Sequence, residues 1–227
     1  MLKITVNNGF RNLRAGDVYD LTDYTQLKSV CVVGENGCGK SSLFQALRGM
    51  KNDAATSSLY ESDFKALASN ITVEHDYEKI FYFDRVKDNG TDFQVAYDAS
   101  GFIESGGFYT KSKSHGESSM VYIDKFLSKI IPNIVEDKTL IVLDEADAGF
   151  SLTKQKQFAN LVDHLSLVKK ADVIVISHNP FFICSSILAY DFTKKKAVSA
   201  SDYIREVTGF NISKVETYFS KRSRDHV

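Results

Sequence analysis

The sequence predicts an α/β fold with a mostly parallel core sheet. Short apolar runs rich in β-branched residues alternate with amphipathic helical segments, only two prolines interrupt the 227 residues, and 43% of the residues are hydrophobic. Strands that are apolar on both faces are typical of a sheet covered by helices on both sides. The length suits one medium domain or two small ones, and it is ample for a sizeable core.

The first part of the chain predicts strands. Leu2–Val6 alternates apolar and polar residues, residues 7–9 predict a turn, and a second extended stretch covers 17–21. The run SVCVV at 29–33 predicts a buried strand, and a helix with one apolar face begins near Lys40. An N-terminal antiparallel β portion is therefore expected before the first strand of the core sheet.

The rest of the chain continues the alternation of helices and strands. In order, it predicts a weakly helical segment around 64–68, a strand at 79–83, a short strand at 93–97, a helix from 116 to 131 closed by Pro132, a strand at 139–143, a helix at 152–165, a strand at 171–176, an extended segment at 187–192 and two short C-terminal helices.

The composition excludes several classes of protein. Its 28 basic and 29 acidic side chains give a formal net charge of −1, which provides no general attraction for nucleic acid. No apolar stretch approaches the roughly 20 residues that span a bilayer, and the first ten residues lack the apolar segment of a secretory signal. Three cysteines, Cys31, Cys38 and Cys184, lack metal-ligand spacing and favour reduced thiols in a cytoplasmic protein.

The segment GENGCGKS at 34–41 matches the phosphate-binding pattern GxxxxGK[ST], between a predicted strand and a predicted helix. Its glycines let successive backbone N–H groups point at phosphate oxygens, and the helix N-terminus adds partial positive charge. We expect Lys40 to reach the β- and γ-phosphates of ATP and the Ser41 hydroxyl to bind Mg²⁺. A chance glycine-rich turn with a solvated lysine is the weaker alternative. The predicted nucleotide contacts in this segment are Gly34, Asn36, Gly37, Cys38, Gly39, Lys40, Ser41 and Ser42.

A second motif, LIVLDE at 140–145, is an apolar strand that ends in two carboxylates. A carboxylate at the tip of a buried strand is costly unless a cation or hydrogen bonds meet it. Beside a phosphate-binding loop, Mg²⁺ would be that cation. We therefore expect Asp144 to bind the metal and Glu145 to polarise the attacking water. Without the phosphate loop, a strand ending in solvated acids would be the better interpretation.

A third apolar strand, IVIS at 174–177, is followed by His178. The carboxyl end of a parallel strand faces the crevice where ligands bind in α/β sheets. We expect His178 to hydrogen-bond the γ-phosphate and Glu145. A lone histidine is more often structural or exposed, but its position at a strand end favours the functional interpretation.

Four motifs in this order, GENGCGKSS, SHGES, LIVLDEAD and ISH, resemble those of the ATP-binding-cassette (ABC) ATPase superfamily, in its soluble branch that includes SMC, RecF and OLD-like proteins. SHGES, at 114–118, is similar to the ABC signature LSGGQ. Glu117 lies 27 residues before Asp144, and His178 lies 34 residues after it, both near the usual spacing of the family. The resemblance covers the chain from residue 1 to about 192.

The resemblance implies a P-loop NTPase fold in one ABC-type domain over residues 1–227. Its core would comprise about 1–50 and 133–192. A small helical or irregular lobe at about 51–132 would carry the signature, and C-terminal helices would cover about 199–220.

In this family two chains enclose two ATP molecules head to tail, and the signature of one chain contacts the γ-phosphate bound by the other. Ser114, the Gly116 backbone and the N-terminus of the predicted 116–131 helix would form such an anion site. Glu117 replaces the signature glutamine and would be favoured by the helix dipole. A simple helix-capping box formed by Ser114 and Glu117 is compatible with the same geometry.

Several residues depart from the pattern of the family. His115 replaces the first signature glycine, and Ser151 stands where transporters carry the aspartate of the D-loop. No glutamine of a Q-loop follows the strand at 79–83, and Asp84 is the positional candidate there for a metal-site residue. A solvated turn acid is an equal alternative for Asp84.

Other expectations are weaker. Tyr19 and Phe10 precede the phosphate loop at distances that suit an adenine platform, but core positions are at least as good an interpretation for both. Arg11 resembles a basic residue near the first turn of SMC-like heads and could equally be a surface arginine. The basic clusters at 194–196 and 221–224 would be the places for nucleic-acid contact, although most such clusters are solvated.

The function expected from these observations is Mg²⁺-dependent ATP hydrolysis by a homodimer with ATP at its interface. A separate effector protein would receive the conformational change, and nucleic acid remains an open partner. Two alternatives stay open: the nucleotide-binding subunit of a membrane transporter, and a nucleotide-switched scaffold with incidental turnover.

Overall fold

The computed structural model describes residues 2–22, 28–48, 61–85, 115–186 and 188–209. In chain order the strands are β1 (Leu2–Val6), β2 (Val18–Asp20), β3 (Ser29–Val33), β4 (Ile71–His75), β5 (Lys79–Asp84), β6 (Thr139–Asp144), β7 (Asp172–Ile176), β8 (Leu188–Asp191) and β9 (Lys196–Ser199). The helices are α1 (Lys40–Arg48), α2 (Glu61–Ala68), α3 (His115–Ile130), α4 (Leu152–Asp163), α5 (Pro180–Ser185) and α6 (Ala200–Thr208).

The core sheet has the strand order β5-β6-β7-β3-β8-β9. Its first five strands are parallel, and β9 runs antiparallel to β8. Strand β7 lies between β3 and β6, so the loops that follow these three strands emerge side by side at the carboxyl edge of the sheet. This is the edge where open α/β sheets bind their ligands.

Both faces of the core sheet are covered, which explains why its strands are apolar throughout. Every residue of β6 and β7 is buried. Alternate strand residues pack on one face against Ile123 of α3, Phe158 of α4 and Phe182 of α5. On the other face they pack against Phe44 of α1 and Ile4 of β1. Burial of this apolar surface on both faces is the main stabilising contribution to the fold.

The small antiparallel sheet has the order β2-β1-β4. The side chains of Leu2, Ile4 and Val6 are fully buried, whereas Lys3 and Thr5 between them are only half-buried. This alternation is what a sheet with one solvated face requires. The inner face shares its apolar core with α1, so the small sheet braces the helix that follows the phosphate-binding segment.

The structure confirms the predicted fold class, and β1 and β3 have the predicted bounds. The sequence prediction missed β4, α5 and β9. It also extended α4 to residue 165, whereas the helix ends at Asp163 and a π-helical turn, His164–Val168, follows. The strand expected at 93–97 lies outside the described residues. The proposed lobe at 51–132 includes β4 and β5, one in each sheet.

Within the described part of the chain, no helix is long and apolar enough to cross a membrane. In the described part of the chain none of the three cysteines forms a disulfide; Cys31 is buried, and Cys38 and Cys184 are half-buried. Burial raises the pKa of the Cys31 thiol well above its usual range, which keeps this side chain protonated.

Candidate functional site

The phosphate-binding segment forms a tight loop between β3 and α1. Gly34, Gly37 and Gly39 all have positive φ angles, of 143°, 76° and 106°, which residues with side chains rarely adopt. A Cβ atom on Gly39 would lie 2.8 Å from Cδ2 of Leu13. The side-chain amide of Asn12 donates a hydrogen bond to the Gly37 carbonyl. The turn before β2 therefore packs directly against the loop and fixes its curvature.

Lys40 is buried at the start of α1, with its ammonium group inside the loop. Its Nζ donates hydrogen bonds to the carbonyl oxygens of Gly34 (2.9 Å) and Glu35 (2.8 Å), and Cys38 Sγ lies 3.6 Å away. Only 5% of the Lys40 side chain is exposed. A lysine held at this place is available to phosphate oxygens that enter the loop.

Ser41 and Asp144 meet across the sheet edge. The Ser41 hydroxyl donates a hydrogen bond to Asp144 Oδ1 (3.1 Å), and the Tyr82 hydroxyl donates to Asp144 Oδ2 (2.7 Å). Burial raises the pKa of Asp144 to about 7, and the hydrogen bond from Tyr82 only partly offsets this effect. A desolvated carboxylate beside a hydroxyl offers two hard oxygen ligands that a small divalent cation prefers.

Glu145 and His178 lie on the neighbouring loops after β6 and β7. Glu145 has a positive φ of 49°, its backbone N–H donates to the Ile176 carbonyl (3.0 Å), and its carboxylate lies 3.7 Å from Arg85. His178 is exposed, yet partial desolvation and the charge of Lys40 lower its pKa, and Glu145 opposes this effect. The predicted catalytic pair therefore shares one site with the loop lysine.

A cleft of about 230 Å³ opens beside these groups. Its lining residues are Arg11, Ser41, Gln45, Asp84, Arg85, Asp144 and Glu145. The buried carboxylate of Asp84 accepts a hydrogen bond from Gln45 (2.7 Å), whose other amide atom accepts one from Arg11 (3.3 Å). The Arg11 guanidinium also donates to Ser42 (2.8 Å). Asp84 thus lies next to the predicted metal residues, although one of its oxygens is already used.

The three predicted signature residues, Ser114, Gly116 and Glu117, lie at or just before the start of α3 in the sequence. Gly116 and Glu117 lie in the first turn of α3, and Ser114 lies outside the described residues. Among the residues that the structure describes, no group of three histidine, cysteine, aspartate or glutamate side chains could hold a metal ion. A metal at this site would therefore need phosphate oxygens in addition to the Ser41 hydroxyl and the Asp144 carboxylate.

Two weaker sequence expectations change with the structure. Tyr19 is only 2% exposed and stacks on Phe192 with ring centroids 4.4 Å apart, so it is a core residue and no adenine platform. In the basic cluster, Lys194 forms an ion pair with Glu206 (2.6 Å) and Lys195 with Asp17. The cluster at 221–224 lies outside the described residues.

Sequence reasoning missed the polar groups that support the predicted residues. Tyr82 lies in an apolar strand and resembles a core residue in the sequence, and Gln45 resembles a neutral helix residue. Gln45 lies on the opposite side of α1 from Leu43, Phe44 and Leu47, so the helical pattern carries no signal for its role. The sequence carries none for Tyr82 either, because its contact depends on the pairing of β5 with β6.

Comparison with known proteins identifies the family and the fold of the chain. The family model described as ABC transporter matches residues 23–177, which is more than half of the chain. No curated protein sequence matches the chain. A solved structure of an inward-facing ABC transporter, assigned to the metal-chelate type, aligns at 15% identity with a TM-score of 0.51, over 92% of this chain and 89% of that one. At this identity the likeness shows the fold. The family match supports ATP binding and hydrolysis. This chain belongs to the ABC transporter family as a nucleotide-binding domain.

Proposed function

We propose that this chain is a Mg²⁺-dependent ATPase that closes around ATP as a head-to-tail homodimer and transmits the resulting change of shape to a partner protein. The observation that carries the proposal is the 3.1 Å contact between the Ser41 hydroxyl and Asp144 Oδ1, at the same sheet edge as Lys40, Glu145 and His178. A hydroxyl, two carboxylates, an ammonium group and an imidazole in this arrangement suit phosphoryl transfer to water.

Phosphate binding would begin with an exchange of hydrogen bonds at Lys40. Its ammonium group now donates to two loop carbonyls, and charged phosphate oxygens are stronger acceptors than carbonyls. The backbone N–H groups of residues 34–39 and the N-terminus of α1 add favourable partial charge. The loop is held by the Asn12 and Leu13 contacts, so little reorganisation is needed when the phosphates enter.

Mg²⁺ fits the oxygen donors of this site. Ser41 and Asp144 would hold it, and Asp84, which keeps one oxygen for Gln45, would act through water. When bound, Mg²⁺ supplies charge neutralisation on the phosphate oxygens. Because the pKa of Asp144 is raised to about 7, its carboxyl group must lose a proton before it can bind a metal near neutral pH.

Glu145 would orient and polarise the attacking water. Its strained backbone conformation, with φ of 49°, fixes its direction next to the strand end. His178 has a lowered pKa, so its neutral imidazole is favoured at pH 7 and can donate one hydrogen bond to a γ-phosphate oxygen. The ion pair with Arg85, at 3.7 Å and half-exposed, is weak enough to yield to the substrate.

The dimer is proposed from the signature motif. Ser114, Gly116 and Glu117 would present the N-terminus of α3 to the γ-phosphate held by the other chain, in keeping with the resemblance of SHGES to LSGGQ. One chain contains both half-sites, but they act on different nucleotides. Two ATP molecules would therefore join two copies.

The kind of partner protein distinguishes the soluble branch of the superfamily from a transporter subunit. In the SMC, RecF and OLD-like branch the partner would be a soluble effector, whereas a transporter subunit requires a membrane protein. Both branches share the fold, so the likeness to a transporter structure does not decide between them. The ion pairs of Lys194 and Lys195 disfavour nucleic-acid contact at that cluster.

The decisive experiment replaces Glu145 by Gln. We expect turnover to fall by about 10²–10⁴-fold with ATP affinity retained, because the carboxylate acts on the water and not on nucleotide binding. The variant should also accumulate an ATP-dependent dimer in light scattering. Lys40→Ala is the matched control, since it should lose ATP binding and dimer together. Wild-type turnover in Glu145→Gln would exclude the assigned role.

A second experiment addresses the partner and the dimer. The Glu145→Gln form with ATP would be used to capture interacting molecules, and recovery of an integral membrane protein would favour the transporter subunit. Ser114→Arg should abolish ATP-dependent dimerisation while each chain still binds ATP. Intact dimerisation in that variant would contradict the trans contact.

A further inference from the structure

Asp147 is a buried carboxylate that the proposed hydrolysis mechanism does not use. It lies on the loop after β6, only 2% of it is exposed, and its Oδ2 accepts a 2.7 Å hydrogen bond from the hydroxyl of Ser177. Ser177 is fully buried on the loop after β7. A buried hydrogen bond to a charged group is among the stronger ones, and leaving either group unmatched is costly. The pair therefore ties the two loops together.

These two loops carry the proposed catalytic groups. The Glu145 backbone N–H donates to the Ile176 carbonyl (3.0 Å), and Ser177 Oγ accepts from the backbone N–H of Asn179 (3.0 Å). His178 thus lies between Ser177 and Asn179, which this hydrogen bond joins. Glu145 keeps a left-handed backbone conformation, which persists only where the surroundings enforce it.

Asp147 is itself anchored to a rigid element. Its carbonyl oxygen accepts a hydrogen bond from the side chain of Gln155 on α4 (2.9 Å) and one from the backbone N–H of Phe150 (3.2 Å). Gln155 is only 4% exposed. The carboxylate is therefore fixed relative to the helix, and the position of Ser177 follows from it. Sites supported in this way by buried second contacts hold their geometry most closely.

We propose that Asp147 is a positioning residue for ATP hydrolysis, which acts through the Ser177 hydroxyl to hold the Glu145 and His178 loops in their productive arrangement. The inference rests on the proposed function and extends it to a residue outside the groups assigned to ATP, Mg²⁺ and the attacking water. Lys40 and Ser41 are held by separate contacts. Loss of the Asp147 contact should therefore change turnover and not the binding of ATP.

The test compares variants by kcat and KM. Asp147→Ala removes the acceptor, and we expect kcat to fall about 10-fold or more with KM nearly unchanged, because small displacements of catalytic groups have effects of this size. Asp147→Asn keeps an oxygen acceptor for Ser177 and should restore most of kcat. Ser177→Ala should lower kcat to a similar extent, and the double variant Asp147→Ala with Ser177→Ala should be no slower than either single one.

The chain offers a matched control at the opposite edge of the core sheet. There the Tyr77 hydroxyl donates a hydrogen bond of the same length, 2.7 Å, to the buried carboxylate of Asp172. Tyr77→Phe should lower stability without lowering kcat. Hydrogen exchange of the amide of Asn179 should accelerate in Asp147→Ala and not in Tyr77→Phe.

The outcomes separate this inference from the proposed function. Wild-type kcat in Asp147→Ala, a loss expressed only in KM, or an equal loss of kcat in Tyr77→Phe would overturn the positioning role. If Glu145→Gln abolishes turnover while Asp147→Ala does not, the proposed function stands and this inference fails. If Glu145→Gln keeps wild-type turnover, the proposed function fails, and the inference fails with it.

Discussion

Replacement of Gly39 by Ala tests how closely the phosphate-binding loop is packed. The new Cβ would lie 2.8 Å from Cδ2 and 3.1 Å from Cγ of Leu13, whose side chain is only 3% exposed. Because Leu13 is buried in the apolar core, this overpacking should cost about 1–3 kcal/mol. The φ of 106° adds about 1–3 kcal/mol for a residue with a side chain. The expected loss of stability is therefore about 2–6 kcal/mol.

Gly16 provides the matched control. Its φ is 87°, but no atom lies within 4 Å of a Cβ placed on it. Gly16→Ala should therefore lose only the conformational part, about 1–3 kcal/mol. Urea unfolding followed by circular dichroism would give both losses as shifts of the midpoint at an unchanged m-value.

A double-mutant cycle identifies the cause. If the clash with Leu13 is responsible, Gly39→Ala should cost about 1–3 kcal/mol less in a Leu13→Ala background than in the wild-type protein. Equal losses for Gly39→Ala and Gly16→Ala, together with additive effects in this cycle, would refute the close packing of the loop against the turn at Leu13.

Two further substitutions test the buried carboxylates, and a third, at an exposed ion pair, is their control. Burial raises the pKa of Asp147 to about 6, so the Asp147 carboxyl group binds its proton more tightly in the folded protein than in the unfolded chain. The ionised carboxylate therefore destabilises the fold increasingly as pH rises from about 4 to about 6. Asp147→Asn should therefore add stability that grows with pH to about 3 kcal/mol near pH 7; a pH-independent difference in urea unfolding would contradict this. Lys28→Met leaves Asp172, which is 7% exposed and lies 3.4 Å from the lysine, without its cation, and it should lose about 2 kcal/mol in the same assay. Lys170→Met breaks the exposed pair with Glu136 and should leave stability almost unchanged, because solvent screens this pair; equal losses for the two lysines would argue against a special role for burial.

The core strands were predictable because strands that are buried on both faces have continuous apolar runs in the sequence. Strand β4 has the same alternation of apolar and polar residues as β1, so ITVEH carried a strand signal; what the sequence does not show is its pairing with β1, in the register Leu2 to His75. The short edge strand β9 depends on its pairing with β8. For β9, tertiary pairing decides the structure and local sequence preference does not.

The central residues of the candidate site were predictable because glycine-rich loops and strand-end carboxylates follow local rules. Ser41 and Asp144 are 103 positions apart, yet both motifs belong to the same edge of a parallel sheet. The supporting contacts could not be predicted in this way. The hydrogen bond from Tyr82 to Asp144 depends on the relative register of β5 and β6. The hydrogen bond from Ser177 to Asp147 depends on the conformations of the loops after β6 and β7.

The strand order has a consequence for the folding of the chain. Strand β3, which precedes the phosphate-binding loop, pairs with β7 and β8, so that Ser29 meets Val173 and Cys31 meets Ala189. At a synthesis rate of roughly 5–20 residues per second, the loop leaves the ribosome roughly 7–30 seconds before its strand has neighbours. Such distant pairing is slow to form, because loop closure must precede the contacts that reward it. The groups proposed to hold ATP follow β3, β6 and β7, so bound ATP would stabilise the fold only after these three strands have paired.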